Sequence, residues 1–178
     1  MQKYFLAIVP EGRFQEQVTQ LKLEIRDLFE AKYALKSPAH ITLKMPFVYN
    51  EAKEARLIEK LGDFLVNYVP LALEVKGVST FGDRVIFLGV EAGQDLYEFQ
   101  EALKAYCKKE LNLIDELSDR NFHPHMTVAF KDIKKPRFQN ILHYVKTRDL
   151  ACKFTISHLV LLKRIDGRWE THKKLHFM

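Results

Sequence analysis

The sequence predicts an α+β protein of two pseudo-symmetric lobes, each an antiparallel-rich sheet with helices on its outer face, set around a central cleft. Three observations predict it. Apolar residues switch repeatedly between strand and helix spacing along the chain. The order strand, helix, strand, helix, strand occurs twice, over approximately 1–81 and 84–163, with little shared identity but the same sequence of elements. The middle strand of each copy carries the same spelling, "HITLKMPF" at 40–47 and "HMTVAFKD" at 125–132, with Pro38 and Pro124 just ahead.

Each element follows from a local pattern. Tyr4–Val9, "YFLAIV", is a short continuous apolar run and reads as a buried strand. Val18, Leu21, Ile25, Leu28 and Phe29 recur at helical spacing, predicting a helix from about Arg13 to Lys32. The first motif strand spans His40–Val48, and Leu57, Leu61, Phe64, Leu65 and Tyr68 mark a second helix over Ala52–Tyr68 that Pro70 stops. "LALEVKGVSTF" and "VIFLGVE" alternate around "GDR" as a hairpin. The second copy then places a helix over Asp95–Glu110, the motif strand at His125–Phe130, and a helix in "KKPRFQNILHYVK" with Pro136 in its first turn. "CKFTISHLVLLKRI" is expected as one long strand, and "WETHKKLHF" closes the sheet after a turn at "DGR". From first strand to motif His takes 36 residues in one copy (Tyr4 to His40) and 40 in the other (Val85 to His125).

At 178 residues the chain is expected to be a single bilobal domain over 1–178, whose lobes can exchange terminal strands. The net charge of +5 fits an anionic partner without naming one. Cys107 and Cys152 lack CxxC spacing and lie in apolar-periodic segments, so both read as free thiols of a reducing compartment. No stretch approaches the ~18 apolar residues of a membrane span, and "MQKYFLAIVP" lacks the form of a signal peptide. The expected location is the cytoplasm, and the expected state a monomer.

Residues i and i+2 of a strand share a face, so His40, Thr42 and Lys44 are predicted on one side and Ile41, Leu43, Met45 and Phe47 on the other. The second copy repeats this with His125, Thr127, Ala129 and Lys131 against Met126, Val128 and Phe130. Helices cover the apolar faces. The His/Thr faces are too polar for a dry core and are expected to meet across a wet cleft near a pseudo-two-fold axis. Two imidazoles on one site can act as general base and general acid near neutral pH. Two threonine hydroxyls beside them can donate to the non-bridging oxygens of an anion. Phosphodiester cleavage suits that equipment, and it calls for no metal and no cofactor.

The paired signature resembles the 2H phosphoesterase superfamily, in particular its 2'-5' RNA ligase-like and 2',3'-cyclic phosphodiesterase group, and the resemblance covers essentially the whole chain through "HITLKMPF", "FHPHMTVAF" and the "GVSTFGDRVIFLGVE" hairpin. It implies a bilobal α+β fold around a cleft. It also implies hydrolysis of 2',3'-cyclic phosphate ends of RNA or nucleotides to 2'-phosphates, or reversible formation of a 2'-5' linkage. His40 and His125 carry over as the acid–base pair and Thr42 and Thr127 as phosphate-binding hydroxyls. Sequence does not fix which His is the base; the leaning assignment puts His125 on water and His40 on the leaving oxygen. Many relatives carry an Arg shortly after the second motif, where this chain has "AFKD" with Lys131 the nearest cation.

Other polar and aromatic residues have structural as well as functional readings. Lys44, His123 and Lys131 are candidates for cleft support, with Arg84 a weaker one. His123 and His125 have the spacing of a metal-binding pair, but no carboxylate or Cys lies at fitting distance, so a metal site is not assigned. His172 and His176 read as a polar strand face, and His143 and His158 as core or surface. Among Phe47, Phe81, Phe122 and Phe130, one or two are expected to offer a base a stacking surface. The alternative to an enzyme is a non-catalytic nucleotide- or RNA-binding module that keeps the cleft.

Overall fold

The computed structural model describes residues 1–177 and contains eight strands in two antiparallel sheets. The strands are β1 Gln2–Ile8, β2 Ile41–Tyr49, β3 Leu71–Phe81, β4 Val85–Ala92, β5 His125–Phe130, β6 Cys152–Ile156, β7 His158–Ile165 and β8 Arg168–His176. The helices are α1 Arg13–Phe29, α2 Glu54–Leu65, α3 Gln94–Leu111, the short α4 Leu117–Arg120, and α5 Phe138–Arg148. The first sheet runs β2-β1-β7-β8 and the second β5-β4-β3-β6.

Each sheet is therefore completed by strands from the other part of the chain. β3 leaves the first motif strand behind and pairs with β4 and β6, while β7 returns to β1 and β8 adds to β7. The expected long strand over 152–165 is two strands in different sheets, parted at the exposed Ser157. A run of strand formers states that the backbone is extended but not which neighbour supplies its hydrogen bonds. Here β6 pairs Ile156 with Leu71 and β7 pairs Val160 with Ala7, so the chain changes sheet inside the run.

One apolar cluster joins both sheets to the helices. Val18, Leu21 and Ile25 of α1, Leu57, Leu61 and Leu65 of α2, Leu96, Phe99 and Leu103 of α3 and Ile141 of α5 pack on Tyr4, Leu6, Ile8, Ile41, Ile86, Leu88 and Met126. Fully burying such a side chain contributes roughly 1.5–3 kcal/mol, so the helices are held by their stripes rather than by intrinsic propensity. β1 is also covered on its other face, where Phe5 and Ala7 join Val160 and Leu162, with Trp169 packed against them. That doubly buried strand explains why "YFLAIV" is apolar throughout rather than alternating.

Half-buried polar groups also tie the layers. Glu54 at the start of α2 accepts from Tyr4 Oη at 2.5 Å, Lys163 Nζ at 2.8 Å and His172 Nε2 at 2.7 Å. Burial alone would raise its pKa, but these donors hold the carboxyl down to about 2. His172, read as a polar strand face, thus anchors α2 to β8. Cys107 is buried with its thiol pushed up to about 12 by desolvation, Cys152 is half-buried, and both are free. Among the described residues no helix is long and apolar enough to cross a membrane.

Candidate active site

The two motif strands carry the same irregularity. Ala7 lies opposite Thr42 and Leu6 opposite Lys44, so one step along β1 matches two along β2 and Leu43 forms a bulge. Phe87 lies opposite Thr127 and Ile86 opposite Ala129, which makes Val128 the matching bulge in β5. A bulge resets the alternation of side chains beyond it. His and Thr stay on the cleft side, but Lys44 and Ala129 turn inward with the core residues Leu6 and Ile86.

Lys44 is therefore not a cleft residue, in contrast to the i, i+2 reading. It is wholly buried, ion-paired with Asp119 of α4, and donates to the Ile114 carbonyl at 2.8 Å. Asp119 also accepts from the Met45 N–H at 2.7 Å and the Glu116 N–H at 2.9 Å. Gln100 of α3, equally buried, donates to the carbonyls of Leu43 and Asp119 at 3.2 Å each. The knot fastens the bulge of β2 to the segment that leads into β5. Lys131 likewise leaves the predicted face, because a turn just past β5 carries it over Tyr33.

Both histidines are held in the same way. His40 Nδ1 lies 2.7 Å from the Pro38 carbonyl oxygen, and His125 Nδ1 lies 2.7 Å from that of His123. A carbonyl only accepts, so each Nδ1 donates and each neutral ring keeps its lone pair on Nε2. Phe5 packs on His40 with ring centroids 5.0 Å apart, and Phe81 and Phe87 pack on His125 at 4.9 and 5.1 Å. Burial draws the His40 pKa down to about 4, opposed by the bond to Pro38, with the charges of Lys22 and His125 lowering it further. Burial also lowers His125, opposed by its bond to His123, whose own charge adds to the lowering.

Behind His40 the loop is clamped from α1. Gln15 donates from Nε2 to the Ala39 carbonyl and accepts the Ala39 N–H on Oε1, both at 2.9 Å. Lys22, 3 % exposed, donates to the carbonyls of Ala34 and Ser37 at 3.2 Å each, and burial lowers its pKa to about 8. These two residues were not singled out from sequence, although Lys22 stands on the apolar stripe of Val18, Leu21 and Ile25, where a lysine has no reason to be unless it is bonded.

The structure brings the two motif strands together, although of the four motif residues only Thr42 and His125 line the cavity between them. β2 and β5 lie against one another as the facing edges of the two sheets. A cavity of about 290 Å³ has Thr42 and Met45 on one side and Phe81, Phe122, His123 and His125 on the other. Thr42 and Thr127 are half-buried, and among the described residues neither hydroxyl is taken by a protein hydrogen bond. Phe47, by contrast, is core, 7 % exposed and stacked on Tyr4. Phe5 and Phe87 were missed because strand runs of this kind do not mark which phenylalanine faces the cleft.

Two lobes meeting at a pair of H-x-T strands are the architecture of two-histidine phosphoesterases, and the comparisons with known proteins agree with that class. The family model described as the 2'-5' RNA ligase superfamily matches residues 10–168, and the chain belongs to this family. A predicted phosphoesterase of Bacillus pumilus is 25% identical over 174 residues, covering 96% of this chain and 95% of its own. One of Bacillus cytotoxicus is 27% identical over 178 residues, covering 98% and 96%. Escherichia coli LigT, solved in complex with 3'-AMP, superimposes with a TM-score of 0.67 at 16% identity over 99% of this chain and 98% of that one. A Thermus thermophilus protein also gives 0.67, at 14% identity and the same coverage.

Proposed function

We propose that the protein is a phosphodiesterase that opens 2',3'-cyclic phosphate ends of RNA or nucleotides to 2'-phosphates, with reversible 2'-5' ligation as the same ring opening when a 5'-hydroxyl attacks in place of water. The observation that carries this reading is the matched pair of histidines, each with Nδ1 engaged by the carbonyl two residues back and Nε2 left to act. Water attacks phosphorus as one Nε2 takes its proton. The bond from phosphorus to O3' breaks, and the other Nε2 gives a proton to that oxygen. Thr42 and Thr127 donate to the non-bridging oxygens, where negative charge grows. The binding of 3'-AMP by E. coli LigT supports a nucleotide as ligand.

Burial favours the reverse of the assignment that sequence leaned to. His40, drawn down to about 4, is neutral at physiological pH and serves as the base, while the less depressed His125 serves as the acid. The bulge that follows H-x-T in both strands also supports reading 1–178 as one bilobal body built by duplication.

The test is hydrolysis of a nucleoside 2',3'-cyclic phosphate in EDTA. Activity is expected to persist, and His40→Ala and His125→Ala each to lose about 10²–10⁴-fold in kcat/KM. The wild-type profile should be a bell, with an acid limb near pH 4 where His40 protonates and an alkaline limb below 6.5 where His125 loses its proton. Tight nucleotide binding without turnover of any cyclic or 2'-5' substrate would instead establish a binding module. An absolute requirement for added zinc would overturn the proposed proton transfers.

A further inference from the structure

At the rim of the cleft, cations converge on one phenol. Lys131 Nζ donates to Tyr33 Oη at 3.2 Å and lies 4.5 Å from the centre of that ring. Lys36 Nζ lies 4.7 Å from the same centre. Arg164, at the end of β7, approaches from the first sheet closely enough to help lower the pKa of the same hydroxyl. The Lys131 bond leads the influences that hold the Tyr33 pKa below its usual value; burial opposes it, and Arg164 and the charges of Lys131 and Lys36 add to it.

These cations lack the partners their neighbours have. Lys134 and Arg137 pair with Glu30 at 2.8 and 2.9 Å. Among the described residues, Lys36, Lys131 and Arg164 have no carboxylate within ion-pair distance. The nearest acidic residue in sequence, Asp132, is engaged elsewhere: one oxygen accepts the backbone N–H groups of Lys32 and Tyr33 at 2.8 and 2.9 Å, pinning the 3-10 turn Tyr33–Lys36 to the end of β5. The Asp132 N–H closes onto the Phe130 carbonyl at 2.8 Å, and Lys131 between them has φ of 65°. That left-handed conformation is unfavourable for a residue with a Cβ, and the chain adopts it where the lysine is placed over the tyrosine.

The cluster is continuous with the catalytic cleft on both sides. Tyr33 packs on Phe130, the last residue of the second motif strand, with centroids 5.2 Å apart. Arg164 stands 5.2 Å over Trp169, whose ring is 4.8 Å from Phe5, and Phe5 is the ring against His40. Like charges held this close repel, and a phosphate among them replaces repulsion with charge-assisted hydrogen bonds.

We propose that Lys36, Lys131 and Arg164, grouped around Tyr33, form a second phosphate site that takes a phosphate one nucleotide away from the one between His40 and His125. This rests on the phosphoesterase reading above and narrows it, since the preferred substrate then carries two phosphates. The second phosphate is either the bridge to a further nucleotide or the 5'-phosphate of a single one.

The experiment compares three substrates at low and high salt: a nucleoside 2',3'-cyclic phosphate, the same compound with a 5'-phosphate, and a dinucleotide ending in a 2',3'-cyclic phosphate. The wild type should prefer a two-phosphate substrate by roughly ten-fold in kcat/KM at low salt, and the preference should shrink as salt rises. Lys36→Gln and Arg164→Gln should each cut that ratio by roughly ten-fold, through KM. Preference for the dinucleotide alone assigns the site to a strand, and equal preference for both assigns it to the phosphate itself. No wild-type preference, or an unchanged ratio in both variants, overturns the proposal. If nothing is turned over, affinities for a dinucleotide 3'-phosphate and a nucleoside 3'-phosphate decide. Tighter dinucleotide binding that Arg164→Gln abolishes keeps the rim site while the phosphoesterase reading fails, whereas equal affinities sink both.

Discussion

The two H-x-T strands are the same device in different surroundings. Each bulges directly after its threonine and each hands its histidine to the carbonyl two residues back. Beyond the bulge they part. The first turns a lysine inward to Asp119, and the second turns a methyl group into the core. The segment before His40 is clamped by Gln15 and Lys22, while the peptide before His125 ends in the exposed His123. His40 is consequently the more desolvated ring. Matched backbones supply two imidazoles in matched poses, and unequal surroundings give those imidazoles unequal proton affinities. An acid–base pair needs both.

The sharpest way to break the comparison is to give the first strand the second strand's residue. Lys44→Ala leaves Asp119 as a buried carboxylate without its cation, which should cost about 3–5 kcal/mol of unfolding free energy. Denaturant unfolding of Lys44→Ala, Asp119→Ala and the double variant would show it. The double variant should be less destabilised than the sum of the two singles, because the residues act as one unit. Strict additivity would mean that the knot does not hold the bulge.

A smaller effect sharpens the difference between the rings. His40 titrates at about 4 in the folded chain against 6.5 for the ordinary side chain. Between those values the unfolded chain binds a proton that the folded one refuses, so stability present above 6.5 is lost as pH falls towards 4. The loss should approach roughly 3 kcal/mol, and His40→Gln should flatten that part of the stability–pH curve. A wild-type curve flat over this range would place His40 in water rather than against Phe5.

Much of this was legible in the sequence, and the rest was hidden for identifiable reasons. The hairpin strands and the second motif strand were readable to within a residue or two, because alternation and the "GDR" turn are local signals. So were the apolar stripes of α1 to α3, except that Leu28, expected on the α1 stripe, is exposed. The bulges at Leu43 and Val128 were not, since an extra residue on one strand is defined only against its partner, and without them Lys44 was assigned to the wrong face. The change of sheet at Ser157 was hidden for the same reason: extended backbone was evident, its neighbour was not. Lys22 is the opposite case, since a lysine on an apolar stripe is a local signal that the sequence carries openly.

The division of labour between the two histidines is tested most directly by changing the leaving group. On a nucleoside 2',3'-cyclic phosphate, loss of either ring should be costly. On a 4-nitrophenyl phosphodiester, whose leaving oxygen departs without a proton, His125→Ala should recover to within about ten-fold of wild type while His40→Ala stays down by about 10²–10⁴-fold. Recovery of His40→Ala instead would reverse the roles, and equal deficits in both variants on both substrates would contradict an acid and a base sharing one phosphate.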